Sequence, residues 1–187
     1  MTYFYTDCET TGINPNEDDI VTIQYQELDN SGKPLGELTI LKSWLSNEED
    51  IVKKFHKVFI TNYPWDFVPV GTTLMFDLTF ILKKFEKYGL SIGKEPLDFL
   101  FSRPCLDLKS NFVIINDMTF KNSGLDKLTN KESDGRLIPQ YFKEKKYDLI
   151  EKYIVQETKS FIEALQIIII HDKELRNKLK RECSGEL

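Results

Sequence analysis

Two carboxylates at the end of a run of β-formers constrain this chain more than any other feature. The stretch YFYTDCETTGINPNEDDIVTI opens on a short β-prone run, Tyr3–Cys8, and sets Asp7 and Glu9 at its end, just before two Thr and a Gly. On a strand, residues two apart point to the same face, with Cα atoms about 6.5–7 Å apart. Carboxylates held this way repel, and each loses hydration if the strand is interior. A divalent cation removes both penalties. By spacing alone, an exposed strand end explains the pair more readily. Other acid pairs two apart, such as Glu17/Asp19 and Asp172/Glu174, lie in polar stretches where solvent suffices.

The rest of the chain supplies elements for an α/β domain. Asp19–Leu28 is β-branched and aromatic with near alternation, DNSGKPLG is a turn signal, and ELTILKSWL alternates again, so a three-strand meander is expected. Asn47 is a cap candidate for a helix with Ile51, Val52, Phe55 and Phe59 at helical spacing. DFVPVGT reads as a short strand, although Pro69 sits at its centre. FDLTFILKKFEKYGL reads as a helix ending at Gly89, RPCLDL as a further short strand, and Asp148 to about Arg181 as a long helix. The order βββαβαβα predicts an α/β domain with a mixed sheet. At 187 residues the chain is expected to form one domain over 1–187, with 166–187 as a C-terminal helical extension.

Composition narrows the chemistry. An apolar fraction of 41% excludes a disordered chain. Cys8, Cys105 and Cys183 form no CxxC pair and the two histidines lie far apart, so zinc-ligand spacing is absent. The scattered cysteines fit a reducing cytosol, and no basic segment followed by an apolar run signals export. The run ALQIIII is far short of the ~20 residues that span a bilayer, so no membrane is expected. A net charge of −5 gives no long-range attraction to polyanions. A nucleic-acid partner would have to be gripped locally.

Two further acids stand in suggestive places. Asp77 follows a short strand and a small-residue turn at the start of a helix, where the helix dipole alone would favour it. Tyr153 and Glu157 are four apart on the predicted long helix and share a face with Phe161, Ala164 and Ile168. A Glu in an apolar stripe needs a partner or a cation. Tyr153 also fits as a core aromatic with its hydroxyl at the edge.

Together these residues resemble the DEDD superfamily of 3′–5′ exonucleases. DCETTGINPNEDDIVTI is very close to that family's first motif, VPVGTTLMFDLTFIL matches the second, and YIVQE matches the Tyr version of the third. The likeness runs from about Tyr3 to Leu165. It implies a ribonuclease H-like mixed five-stranded β-sheet flanked by helices. It also implies hydrolysis of terminal phosphodiesters of DNA or RNA to nucleoside 5′-monophosphates. Carried over, the metal carboxylates are Asp7, Glu9, Asp77 and Glu157, and the general base is Tyr153. The family usually has Asp where this chain has Glu157, and often His-Asn where it has Thr72-Thr73. A second reading rests on the Glu157 departure: a weakened or inactive member that binds nucleic-acid ends or a protein.

Elementary chemistry is consistent with the resemblance. Phosphodiester hydrolysis develops charge on the attacking and leaving oxygens, which two cations stabilise. The carboxylates suit two divalent cations, Mg²⁺ or Mn²⁺, rather than softer metals. As a base, Tyr153 would need nearby cations to favour its phenolate, and otherwise it orients the water. Thr10 and Thr11 are candidates to contact the terminal nucleotide, or to cap the turn, and Phe76 is a candidate to stack on a base. Lys83, Lys84, Lys121, Lys127 and Lys131 are candidates for upstream phosphates, and each also reads as a solvated surface charge. The expected partner is the 3′ end of single-stranded DNA or RNA in the cytoplasm, with a homo-oligomer or polymerase-type partner left open.

Overall fold

Five strands form a sheet in the order β3-β2-β1-β4-β5 in the computed structural model, which describes residues 1–129 and 134–183. They are β1 (Tyr3–Thr10), β2 (Ile20–Leu28), β3 (Thr39–Lys42), β4 (Val68–Gly71) and β5 (Leu106–Asp107). The first three form the expected antiparallel meander, and β4 and β5 add on in parallel. This mixed sheet, covered by helices on both faces, is the ribonuclease H-like α/β arrangement expected from the motifs. β3 is shorter than the alternation suggests because Ser43–Leu45 turns into a short 3-10 segment.

Pro69 fits within β4 for a reason that hydrogen-bond geometry makes plain. The Val68 amide donates to Thr2 on the β1 side, and the Gly71 carbonyl accepts from Leu108 on the β5 side. Pro69 therefore points its nitrogen toward β5, whose ladder begins only opposite Val70. No ladder hydrogen bond is lost there. Gly71 is needed for a close approach: a Cβ there would lie 2.8 Å from the Thr6 carbonyl oxygen of β1.

Helices α1 (Glu48–Phe59) and α2 (Leu74–Lys87) cover one face. Their core with the sheet is aromatic, with Phe55, Phe59, Phe67, Phe80 and Phe85 all buried. Asn47 caps α1 as its sequence suggests, accepting from the Asp50 amide at 2.8 Å. Four short helices were not legible in the periodicity: α3 (Pro96–Ser102), α4 (Lys109–Ile115), α5 (Leu125–Leu128) and α6 (Ile138–Lys143). Each has two turns or fewer, too short to show a repeat of 3.6.

The long helix α7 (Tyr147–Cys183) covers the other face, where Phe161, Ile162, Leu165 and Ile168 pack with Tyr5, Val70 and Phe112. α7 is continuous through 166, and residues 184–187 of the expected C-terminal extension lie outside the described ones. Among the described residues, no helix is long and apolar enough to cross a membrane.

Candidate active site

Three elements distant in sequence meet at one end of the sheet. β1 turns Tyr5, Asp7 and Glu9 toward α7, as its alternation requires. α7 sends Tyr153 and Glu157 back toward them, one turn apart. Carboxylate oxygens of Asp7, Glu9 and Glu157 lie within 4.8 Å of one another. Asp77 arrives from the first turn of α2. Its Oδ1 accepts from the Cys8 amide at 3.1 Å and from the Cys8 thiol at 3.2 Å, and its carboxyl hydrogen-bonds to Asp7. All four candidate metal carboxylates are thus brought together, Glu157 included.

The electrostatics are those of crowded acids. Burial, followed by the adjacent Asp7 charge, pushes the Asp77 carboxyl well above the usual carboxylate range. Burial, with Glu9 and Glu157 alongside, pushes the Tyr153 hydroxyl well above the ordinary phenol value. That hydroxyl bonds to Glu157 and lies under Gly135, where a Cβ would come within 2.6 Å of it. Tyr153 is both an aromatic packed against Ile150 and Ile154 and a site group with its hydroxyl among the acids. Burial pushes the Cys8 thiol up as well, so its sulfur is a hydrogen-bond donor to Asp77.

The turn before Asp77 is built under constraint. Thr73 has φ 58°, an unusual conformation for a β-branched residue. Asp107, at the end of β5, holds it by accepting from the amides of Thr73, Leu74 and Lys109, each at 2.9 Å. One half-buried carboxylate thereby aims the start of α2, and with it Asp77. Sequence reasoning missed Asp107, which only sheet order brings beside Thr73. It also missed Thr22 and Gln24, whose period-two spacing on β2 reads equally well as a solvent face. Both are fully buried, and Gln24 reaches Asp7 and Glu9.

The candidate substrate residues divide. The Thr10 hydroxyl donates to the Gly12 carbonyl, and the Thr11 hydroxyl accepts from the Asp19 amide, so both hydroxyls stabilise the β1–β2 turn. Phe76 is exposed one residue before Asp77, whereas Phe80 is core. Of the lysines, Lys84 is a correction: it is 1% exposed and donates to the Asp18 carbonyl beside Glu48, so no phosphate can reach it. Lys83 pairs with Glu86, Lys121 is exposed, and Lys131 lies outside the described residues. Lys127 joins Lys109 and Arg136 in lining a cleft of about 780 Å³ that runs from Glu157 past Thr72 and Thr73.

No protein-family model and no curated protein sequence matches the chain. Solved structures do. E. coli exonuclease I in complex with a dT13 oligonucleotide superposes with a TM-score of 0.66 at 13% identity, covering 95% of this chain and 43% of that one. The chain shares its fold with exonuclease I. The zinc-bound form of the E. coli enzyme's complex with single-stranded DNA gives 0.65 at 13% identity, covering 95% of this chain and 42% of that one. A product-bound exonuclease I gives 0.62, also at 13% identity, covering 94% and 44%. This chain thus spans less than half the length of those exonuclease I chains. The resemblance to DEDD exonucleases is borne out at the level of fold.

Proposed function

We propose that this chain is a metal-dependent 3′–5′ exonuclease acting on single-stranded DNA or RNA. One observation carries the reading: Asp7, Glu9, Asp77 and Glu157 converge from β1, α2 and α7 with the Tyr153 hydroxyl among them. Buried like charges are costly to assemble, and such cost is characteristic of functional sites. The donors facing one another are all carboxylate oxygens, which fits two Mg²⁺ or Mn²⁺ ions held by Asp7, Glu9, Asp77 and Glu157. When bound, such cations stabilise charge on the attacking and leaving oxygens of an in-line displacement.

The chain's own groups account for the remainder. Water attacks the terminal phosphorus, the bond to the 3′ oxygen breaks, that oxygen takes up a proton, and a nucleoside 5′-monophosphate leaves. Tyr153, anchored by Glu157 and roofed by Gly135, orients the water through its hydroxyl. Thr10 and Thr11 flank the terminal nucleotide, Thr10 meeting it through its backbone, since both hydroxyls and the Thr11 amide hold the turn. Phe76 offers an exposed ring for stacking on a base. Lys109, Lys127 and Arg136 line the cleft for upstream phosphates, a local grip that an acidic protein requires.

Single-stranded DNA and RNA labelled at either end, incubated with Mg²⁺ or Mn²⁺ or with chelator, test the proposal. Mononucleotides should leave the 3′ end, and chelator should stop their release. Tyr153→Phe should slow release by about 10²-fold. Release from the 5′ end, or turnover indifferent to chelator, overturns the reading.

A further inference from the structure

The antiparallel register of β1 and β2 sets Gln24 opposite Asp7 and Thr22 opposite Glu9. Both side chains are completely buried. The Thr22 hydroxyl donates to Gln24 Oε1 at 3.0 Å. That contact orients the carboxamide, turning Nε2 toward the acids. Nε2 donates to Asp7 Oδ2 at 2.7 Å and toward Glu9 Oε1 at 3.3 Å. Reversing the amide would set its oxygen against two carboxylates, which have no proton to offer when ionised. A single carboxamide therefore has its two N–H bonds matched to two acids that would otherwise repel. Immediately beyond Thr22 the ladder slips by one residue, between Glu9 and Thr10, so the paired register ends just past this device.

We propose that Gln24, oriented by Thr22, is a positioning residue that holds Asp7 and Glu9 in the rotamers a divalent cation requires. The inference rests on the proposed metal site and extends it to a partner strand that contributes no ligand. Gln24 contacts one oxygen of Asp7 and one of Glu9, and so fixes how both carboxylates are turned. Groups in this outer position set ligand orientation, and their loss typically weakens metal binding by about 10–100-fold. Tyr5 supports the same oxygen of Asp7 through its hydroxyl, at 3.3 Å, but does not reach across to Glu9 as Gln24 does.

Mn²⁺ binding to the metal-free full chain, measured by isothermal titration calorimetry, tests this role. Gln24→Met keeps the length and bulk of the side chain and removes the donors. It should fold, by circular dichroism, and bind Mn²⁺ about 10–100-fold more weakly. Thr22→Val leaves Gln24 in place but frees its amide, and should give a smaller loss in the same direction. If the folded Gln24→Met chain binds Mn²⁺ as tightly as the unmodified chain, or more tightly, the positioning role is overturned and the metal site stands. Should Gln24→Met fail to fold, Thr22→Val decides, and unchanged affinity there overturns the role. An unmodified chain that takes up no Mn²⁺ overturns the metal reading and this inference together.

Discussion

Asp77 and Glu48 both press a carboxylate against α2, Asp77 from within its first turn and Glu48 from the start of α1 against its last. Their surroundings are opposite in sign. Asp77 meets Asp7, and burial and that charge together push its carboxyl up. Burial pushes Glu48 up too. Hydrogen bonds from Lys87, Tyr88 and the Ile20 amide, with the Lys84 charge, more than offset it and hold the carboxyl below its ordinary value. Glu48, Lys84 and Lys87 thus clamp α1 and α2 to the turn leaving β1, while Asp7, Glu9, Asp77 and Glu157 crowd like charges together. A fold that can pair a half-buried acid this thoroughly at one end of α2 leaves acids crowded at the other, a costly arrangement characteristic of functional sites.

The contrast breaks down if either set behaves like the other. The largest expected effect is at the crowded end. Asp77→Asn keeps the shape and the acceptor for the Cys8 amide. It should lower the proposed exonuclease activity on the order of 10³-fold, the equivalent of several kcal/mol of charge stabilisation. The melting temperature without metal should hold or rise, because a buried charge beside Asp7 is gone. A large fall in stability with activity retained would place Asp77 among the structural acids.

At the paired end the pattern should invert. Lys84→Met removes the buried partner of Glu48 and the donor to Asp18, and should cost roughly 3 kcal/mol by urea unfolding. The rate per folded molecule should be unchanged. The smallest effect concerns acid. Glu48 has a folded-state pKa below the ordinary value of a glutamate, so its contribution is fully present above that ordinary value. It is lost as pH falls through the lower folded-state value. Glu48→Gln should therefore cost about 1 kcal/mol near neutrality, a fall in melting temperature of about 2–4 °C. As pH falls through that lower value the two chains should converge in melting scans, and a gap unchanged by acidification would detach Glu48 from the clamp.

Much of this arrangement was legible from residue order because it is local. The meander, the Asn47 cap, the end of α2 at Gly89 and the i, i+4 spacing of Tyr153 and Glu157 depend on neighbours within a few positions. The motif around Asp7 and Glu9, with Asp77 and the Tyr153–Glu157 pair, names residues that the fold brings together. Lys84 was misread because its neighbours in sequence, Lys83 and Lys87, are surface charges. What buries it lies on α1 and the β1–β2 turn. Thr22 and Gln24 escaped notice because alternation reports that residues share a face and not what covers it.

The amino-acid sequence by itself therefore determined the strands and long helices, the identity of the acids and the tyrosine among them. Tertiary structure alone decided which charges are paired and which are crowded. It also decided that Asp107 aims the turn before Asp77, and that Gln24 rather than solvent faces Asp7 and Glu9. The physical reason is range. Backbone propensity and capping act over one or two turns, whereas burial and charge pairing depend on segments that meet only when the sheet has set their register.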